Sequence, residues 1–332
     1  MLMDVIGSTS AGTLVKSSAA ASDFASGFRV YRPPTDASGP YIIVEGPDEA
    51  LWFCQSQASA IGRLDLRSGE IVEFKLPNPR AFPVGITVGS DGALWFAQQG
   101  SDAIGRITLE GEITEFPLPA HSGPTGLILG PDGNVWFSEV EAGRISYVTP
   151  DGEVVQAAHL ETTSRPLSLV VRDGEIWFSE VGAGKIGRLN LDGTLREYRT
   201  PSPSSAPRAL ACHPDGSIWA VLTDANALLR IGRDSEMTEY AVPSPEASLR
   251  GIVTTTAGDL WFTENATSCI GRAPADGSTI TEFALPNAGS GVRCIMATSS
   301  DRIFFSAFDA GEIWEALPSR LLQAEAAPSA PL

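Results

Sequence analysis

Short apolar segments alternate with polar turn residues along most of the chain. In one representative stretch, residues 125–129 form an apolar run, Pro131-Asp132-Gly133 supplies a tight turn, and residues 135–138 form a second apolar run. Short runs of this kind, bounded by Gly, Pro and Asp, are typical of β-strands. No stretch has apolar residues at helical spacing. The pattern therefore predicts an all-β protein.

One phrase, Gly-x-Leu/Ile/Val-Trp-Phe, recurs with variations at intervals of about 42 residues. Its tryptophans are Trp52, Trp95, Trp136, Trp177, Trp219 and Trp261, and Phe304 takes the seventh position. The apolar runs and turn residues within each repeat predict four short strands. Seven repeats of four antiparallel strands predict a seven-bladed β-propeller. The alternative, an open β-solenoid, would need shorter repeats and capping ends.

The two ends of the chain predict how the ring closes. The last repeat supplies only three strands, near residues 294–297, 302–306 and 312–316. Residues 28–32 resemble the segments that end other repeats, so we predict that this N-terminal strand closes the last blade. The predicted organisation is a flexible segment over 1–27, the propeller over 28–317 and a flexible tail over 318–332.

Composition narrows the possible partners and location. The net charge is −17, from 23 basic and 40 acidic residues, which would repel the phosphate backbone of a nucleic acid. No apolar stretch approaches membrane-spanning length, and the N-terminus lacks a signal-peptide pattern. The four cysteines lack metal-type spacing and are expected to be reduced thiols. We therefore expect a cytoplasmic protein with no nucleic-acid or membrane partner. Its oligomeric state stays open.

Candidate functional residues lie where the repeats differ from one another. The first set is the second residue of the Pro-x-Gly-Ile segment in each repeat: Tyr41, Val84, Thr125, Leu167, Arg208, Arg250 and Arg293. The second set is the residue after Trp-Phe-x: Gln55, Gln98, Glu139, Glu180, Leu222, Glu264 and Ala307. Antiparallel pairing would place both sets at the mouth of the central channel. The predicted substrate-binding residues there are Arg208, Glu139, Glu180, Gln55 and Gln98.

The three arginines differ in their expected partners. Arg250 faces Glu264 across its own hairpin, which predicts an ion pair, whereas Arg208 and Arg293 face apolar residues. Unpaired guanidinium groups favour a bound carboxylate or phosphate. The alternative is that they pair with neighbouring blades or point into water. Cys294, beside Arg293, is either a nucleophile whose pKa the cation lowers or a small packing residue.

A family resemblance rests on the phrases Gly-Pro-Asp-Gly-Asn-Val-Trp-Phe-Ser-Glu at 130–139 and Pro-Val-Gly-Ile at 83–86. Together with repeated Ile-Gly-Arg and Thr-Glu-Phe-x-Leu-Pro elements, they make residues 28–317 resemble the streptogramin B lyase (virginiamycin B lyase) family of seven-bladed propellers. The resemblance implies magnesium-assisted elimination at an ester of a cyclic depsipeptide antibiotic. It also implies a site with a first-blade Tyr, a sixth-blade His, and a seventh-blade Glu-x-His followed by a Glu.

Only one of those site residues is matched in this chain. The tyrosine is Tyr41, but Arg250 stands at the sixth-blade His position. The seventh-blade Glu-x-His reads Gly291-Val292-Arg293, and the following Glu is Ala307. An arginine neither ligates a metal nor serves as a base near neutral pH. The chain is therefore expected to have lost the family's magnesium site and to need no cofactor.

Three functions follow as alternatives. The first is a repurposed, metal-independent enzyme that performs an elimination, cyclisation or isomerisation on an anionic small molecule. Arg208, Arg250 and Arg293 would hold its carboxylate or a developing enolate. The candidates for proton transfer are Tyr41, Glu139, Glu180 and Glu264. The second is a non-catalytic propeller that binds a ligand or a protein. The third is a genuine streptogramin B lyase with a displaced magnesium site.

Overall fold

Seven antiparallel sheets form a seven-bladed β-propeller, as the repeat predicted. The computed structural model describes residues 8–11, 14–17, 22–24, 27–202, 204–274 and 279–326. In six blades the four main strands follow one another in chain order from the channel outward, and in blade 7 the outermost comes from the N-terminus. The inner strands of neighbouring blades contact each other all round the ring, including those of blades 7 and 1.

The strands are described by their place in the blade, counted from the channel outward. The inner strands of blades 1 to 7 are Pro40–Glu45, Pro83–Val88, Pro124–Leu129, Pro166–Arg172, Pro207–Cys212, Leu249–Thr254 and Val292–Ala297. The second strands are Leu51–Gln55, Leu94–Gln98, Val135–Glu139, Glu175–Glu180, Ile218–Leu222, Leu260–Glu264 and Ile303–Ala307. The third strands are Ala60–Leu64, Ala103–Ile107, Arg144–Val148, Lys185–Leu189, Ala227–Ile231, Cys269–Ala273 and Glu312–Ala316. The outer strands are Ile71–Lys75, Glu112–Pro117, Val154–His159, Leu195–Arg199, Met237–Ala241, Thr281–Ala284 and Phe28–Tyr31.

The ring is closed by pairing between the two ends of the propeller. Phe28–Tyr31 lies antiparallel to Glu312–Ala316, with Val30 opposite Trp314. The Tyr31 hydroxyl donates a hydrogen bond to Glu315 at 3.0 Å. The predicted closure of the last blade by an N-terminal strand is therefore confirmed.

Both terminal segments contain structure where the sequence predicted flexible chain. Ser8–Ala11, Leu14–Ser17 and Ser22–Phe24 add a fifth strand to blades 2, 1 and 7 respectively. An outer strand leaves one edge unpaired, and that edge accepts a further strand. Pro318–Ala326 forms an α-helix, and Gln99–Ser101 and Thr162–Ser164 are short 3₁₀ helices. The remainder of the segments 1–27 and 318–332, apart from Gly27, lies outside the described residues.

Across the described ranges, no helix combines the length and apolarity needed to cross a lipid bilayer.

In blades 1 and 2, the repeated Trp and Arg residues hold a turn of the blade together. In blade 1, Trp52 Nε1 donates to one oxygen of Asp48 at 3.0 Å. Arg63 Nε donates to the other oxygen at 2.7 Å. The same three residue types make the same contacts in blade 2. These repeated residues are explained by blade structure.

The glycine of the Ile-Gly-Arg phrase provides space for an aromatic ring. Gly105 lies directly opposite Phe96 on the neighbouring strand, and a Cβ added to Gly105 would come within 2.2 Å of that ring. In blade 5 the two volumes are exchanged, because Ala220 lies opposite Leu229. Each of these blades thus keeps one large and one small residue at this pair of positions.

The Gly105→Ala variant is expected to have a free energy of unfolding lower by about 1–3 kcal/mol, because the buried Phe96 ring has no room to move. Chemical denaturation would measure the loss. The double variant Phe96→Ala/Gly105→Leu copies the arrangement in blade 5 and should recover part of it. A Gly105→Ala protein as stable as the parent would contradict this packing.

Candidate functional site

The inner strands surround a central cavity of about 250 Å³. The second residue of each inner strand lines it, and we call these seven residues the channel positions: Tyr41, Val84, Thr125, Leu167, Arg208, Arg250 and Arg293. Each lies in a β-bulge between the first and second strands. Bulges redirect side chains and are frequent beside active sites. The structure therefore brings together the first predicted set.

A second cavity of about 420 Å³, which we call the vestibule, adjoins the channel. Six channel positions line both cavities. The vestibule adds Phe82, Val140, Arg165 and Phe308 to the lining. None of the described residues that line the two cavities is acidic, although the net charge of the chain is −17. These two cavities together form the mouth of the channel, which is therefore cationic within an acidic protein.

The second predicted set does not reach the mouth, so that part of the prediction is wrong. Its polar members are at most 3% exposed and line neither cavity: Gln55, Gln98, Glu139, Glu180 and Glu264. Leu222 and Ala307 are fully buried as well. The bulge is the physical reason, because it pairs the first residue of the inner strand with this set. Pro40, not Tyr41, lies opposite Gln55.

These buried side chains hold each blade together instead. Gln55 Nε2 donates to Glu73 on the outer strand at 2.7 Å. Gln98 makes the same bond to the outer-strand glutamate of blade 2 at 2.8 Å. In blade 3, Glu139 accepts a hydrogen bond from Arg144 at 2.6 Å. Glu139 also accepts one from Ser146 at 2.5 Å.

Two of the buried carboxyl groups have strongly altered acidity. Burial, followed by the nearby carboxylate of Glu282, raises the pKa of Glu264 to about 7. Burial and the nearby Glu197 raise the pKa of Glu180 to about 7 in the same way. A pKa near 7 suits a general acid or base. Because both groups are enclosed within their blades, however, neither can exchange a proton with a ligand in the mouth.

Within the described part of the chain, none of the three channel arginines forms an ion pair with a carboxylate. No ion pair joins Arg250 to Glu264 among the described residues, which corrects the predicted pair. Glu264 instead accepts a hydrogen bond from Thr267 at 2.8 Å. Burial lowers the pKa of both Arg208 and Arg250, and the positive charge of Arg293 lowers each further. The Arg293 guanidinium lies 4.1 Å from the centre of the Phe308 ring and 5.5 Å from that of Tyr41.

Cys294 does not have the properties of an activated nucleophile. Burial raises the pKa of its thiol to about 11, so the thiolate form is disfavoured. Its backbone N–H donates to the Ser306 hydroxyl at 3.1 Å. Although Cys294 lines the central cavity, its raised pKa gives no support to the nucleophile hypothesis, and its burial agrees with the packing alternative.

The mouth does not fit the magnesium ion that the family resemblance implies. Magnesium takes oxygen ligands, whereas three of the seven channel positions present guanidinium donors. The glutamates of the strand ends are turned into the blades. Within the described ranges, no group of three or more His, Cys, Asp or Glu side chains is arranged to hold a metal. No chemical step is therefore assigned to magnesium.

The sequence of this propeller matches the model of one protein family along most of its length. The model of the virginiamycin B lyase family matches residues 22–229 and 222–318. A structure of a streptogramin B lyase has 33% sequence identity, covering 87% of this chain and 96% of that one, with a TM-score of 0.82. A catalytically inactive virginiamycin B lyase from Staphylococcus aureus, crystallised with quinupristin, has 31% identity. It covers 87% of this chain and 98% of that one, with a TM-score of 0.81.

A more distant structure shares only its fold with this chain. Hydrazine synthase from Kuenenia stuttgartiensis has 14% identity over 84% of this chain and 95% of that one, with a TM-score of 0.67.

Proposed function

Because the chain belongs to the virginiamycin B lyase family, we propose that its channel mouth is a functional site and that it binds a small organic anion. One observation carries this proposal. Among the described residues, Arg208, Arg250 and Arg293 line the cavity without an ion-pair partner, and the buried Nε–H of each has no hydrogen-bond partner. An unsatisfied buried donor is costly. A carboxylate or phosphate in the cavity would accept hydrogen bonds from these guanidinium groups and, being charged, would form strong ones.

The charge distribution supports an anionic rather than a neutral ligand. The arginines are close enough for Arg293 to lower the pKa of both other guanidinium groups. The charge of Asp224 offsets part of their mutual repulsion, but none of the described residues that line the two cavities is acidic. A bound anion would offset it. A cationic mouth on an acidic protein would also concentrate small anions from solution.

A metal-independent reaction at this mouth is the second part of the proposal. Of the four residues predicted to transfer a proton, Tyr41 lines the cavity, whereas the three glutamates are buried in the blades. In an elimination, the phenolate form of Tyr41 would take the proton from the carbon next to the bound carboxylate and become a neutral phenol, and the C–H electron pair would form the new double bond. The leaving group on the adjacent carbon would depart with its electron pair. The arginines would stabilise the enolate that develops.

The Arg250→Gln variant should bind phosphate or acetate about tenfold or more weakly than the parent, because it removes a charge-assisted donor from the site. Isothermal titration calorimetry would measure the change. Arg106→Gln is the matched control, since it removes the same charge from an arginine paired with Asp91 on the blade. Equal affinities of the parent and Arg250→Gln would contradict the anion site.

A thermal-shift screen separates this proposal from the established reaction of the relatives. The panel contains small carboxylates, phosphates and a streptogramin B antibiotic, each with and without magnesium. Stabilisation by the small anions, independent of magnesium, would support the proposal. Stabilisation that needs the antibiotic together with magnesium would overturn it in favour of a genuine streptogramin B lyase.

A further inference from the structure

The residue before each inner strand has a left-handed backbone in all seven blades. These rim residues are Gly39, Phe82, Gly123, Arg165, Ala206, Ser248 and Gly291. Glycine adopts this conformation freely, whereas other residues meet a steric penalty. Three blades use glycine. Phe82, with φ of 45°, and Arg165, with φ of 49°, place the largest side chains where the backbone favours none.

Both of these large side chains line the vestibule. Phe82 is 37% exposed and belongs to the few large hydrophobic residues with an exposed side chain in the described part of the protein. Strained backbone conformations cluster at functional sites, where the surrounding fold maintains them. Phe82 thus combines a strained backbone with an aromatic side chain that is partly exposed beside a cavity.

The channel positions are divided into an uncharged half and a cationic half. Consecutive blades 1 to 4 contribute Tyr41, Val84, Thr125 and Leu167, and consecutive blades 5 to 7 contribute the three arginines. In a closed ring these two arcs face each other. Phe82 extends the uncharged arc into the vestibule, because it precedes the inner strand of blade 2. A ligand that crosses the mouth therefore meets the three channel arginines at one end and the aromatic side chain of Phe82 at the other, where Gln57, Gln99 and Arg165 also line the vestibule.

We propose that the ligand is an aromatic acid. Its carboxylate or phosphate binds Arg208, Arg250 and Arg293, and its ring lies against Phe82 in the vestibule. Aromatic pairs gain energy beyond the area that they bury. A guanidinium such as that of Arg165 stacks on aromatic faces as well. This inference rests on the proposed function, because it specifies the ligand class of the same site.

The Phe82→Gly variant tests this proposal without endangering the fold. Glycine relieves the backbone strain and is the residue that three other blades use at this position. Calorimetry at pH 8 would compare phenyl phosphate with inorganic phosphate. The parent should bind phenyl phosphate about three- to tenfold more tightly. Phe82→Gly should lose this preference while keeping its affinity for phosphate.

Ala206→Gly is the matched control, because it makes the same backbone change at a rim residue that does not line the vestibule. It should keep the full preference for phenyl phosphate. Equal binding of the two probes by the parent, or an undiminished preference in Phe82→Gly, would overturn the aromatic-acid proposal and leave the anion site intact. If neither probe binds, and benzoate and acetate also fail to bind, the proposed function itself is overturned.

Discussion

The Glu264→Gln variant is expected to be more stable than the parent at pH 8, by about 3 kcal/mol in the free energy of unfolding. Glu264 is fully buried, and one of its carboxyl oxygens has no hydrogen-bond partner. Both oxygens of the neighbouring Glu282 already accept hydrogen bonds from Ser244, at 2.8 and 2.6 Å. A glutamine would place an amide donor beside these oxygens. Blades 1 and 2 use glutamine at this position for the same contact.

The size of this gain should depend on pH in a defined direction. The pKa of Glu264 is about 7 in the folded protein, above its ordinary value of 4.5. Between these pH values the folded state binds more protons than the unfolded state, so stability falls as pH rises. The parent therefore keeps this contribution below about pH 4.5 and has lost it above about pH 7. Denaturation at pH 5 and pH 8 should show a small gain for the variant at pH 5 and the full gain at pH 8.

Glu139→Gln is a control with the opposite expected sign. Glu139 occupies the equivalent position in blade 3, but there the carboxylate accepts hydrogen bonds from both Arg144 and Ser146. Removing one charge of a buried pair is strongly destabilising, so this variant should be less stable than the parent at pH 8. If Glu264→Gln were also less stable than the parent at pH 8, the raised pKa of Glu264 would be contradicted.

Deletion of residues 1–31 is expected to have the largest effect on stability of any change considered, because it removes the strand that closes the ring. The single variant Phe28→Ala should already lower the free energy of unfolding by about 3–5 kcal/mol. Phe28 is fully buried, and its ring centre lies 5.8 Å from that of Trp314 and 6.1 Å from that of Phe305. Thermal unfolding would measure both losses.

Deletion of residues 1–26 is the matched control for the closing strand. It removes the three added strands but retains Phe28–Tyr31 and its pairing with Glu312–Ala316. The loss of stability should be much smaller, because only edge pairing is removed. Equal melting temperatures for the two truncated proteins would contradict the assignment of Phe28–Tyr31 as the strand that closes the ring.

The regular features of the fold were predictable because the same pattern of apolar runs and turn residues recurs in each repeat. The spacing of the tryptophans defined seven blades, and the missing strand of the last repeat identified residues 28–32. The bulge was not predicted, because the two strands of each hairpin were paired residue for residue, without the extra residue that a bulge adds to one of them. Without it, Tyr41 and Gln55 were expected to face one another, and Glu264 was expected to reach Arg250.

The candidate site was predictable in part for a related reason. Arg208, Arg250 and Arg293 stand out because the other blades carry uncharged residues at the same position. Phe82 and Arg165 escaped attention because the residue before a proline is normally extended, and nothing in the sequence indicates a left-handed backbone there. Cys294 follows Arg293 directly, and adjacent strand residues tend to point in different directions. Proximity in sequence was therefore a poor guide to its acidity.

The closing strand also affects the order in which the protein can fold during synthesis. Tyr31 and Glu315, whose side chains are hydrogen-bonded, are separated by 284 positions in the chain. At ordinary translation rates, the first leaves the ribosome on the order of 14–57 s before the second. Blades 1 to 6 can assemble during this interval, while the apolar strand around Phe28 remains without its final partner. Blade 7 can be completed only after translation has passed its third strand, so ring closure is a late step that joins the earliest and latest parts of the nascent propeller.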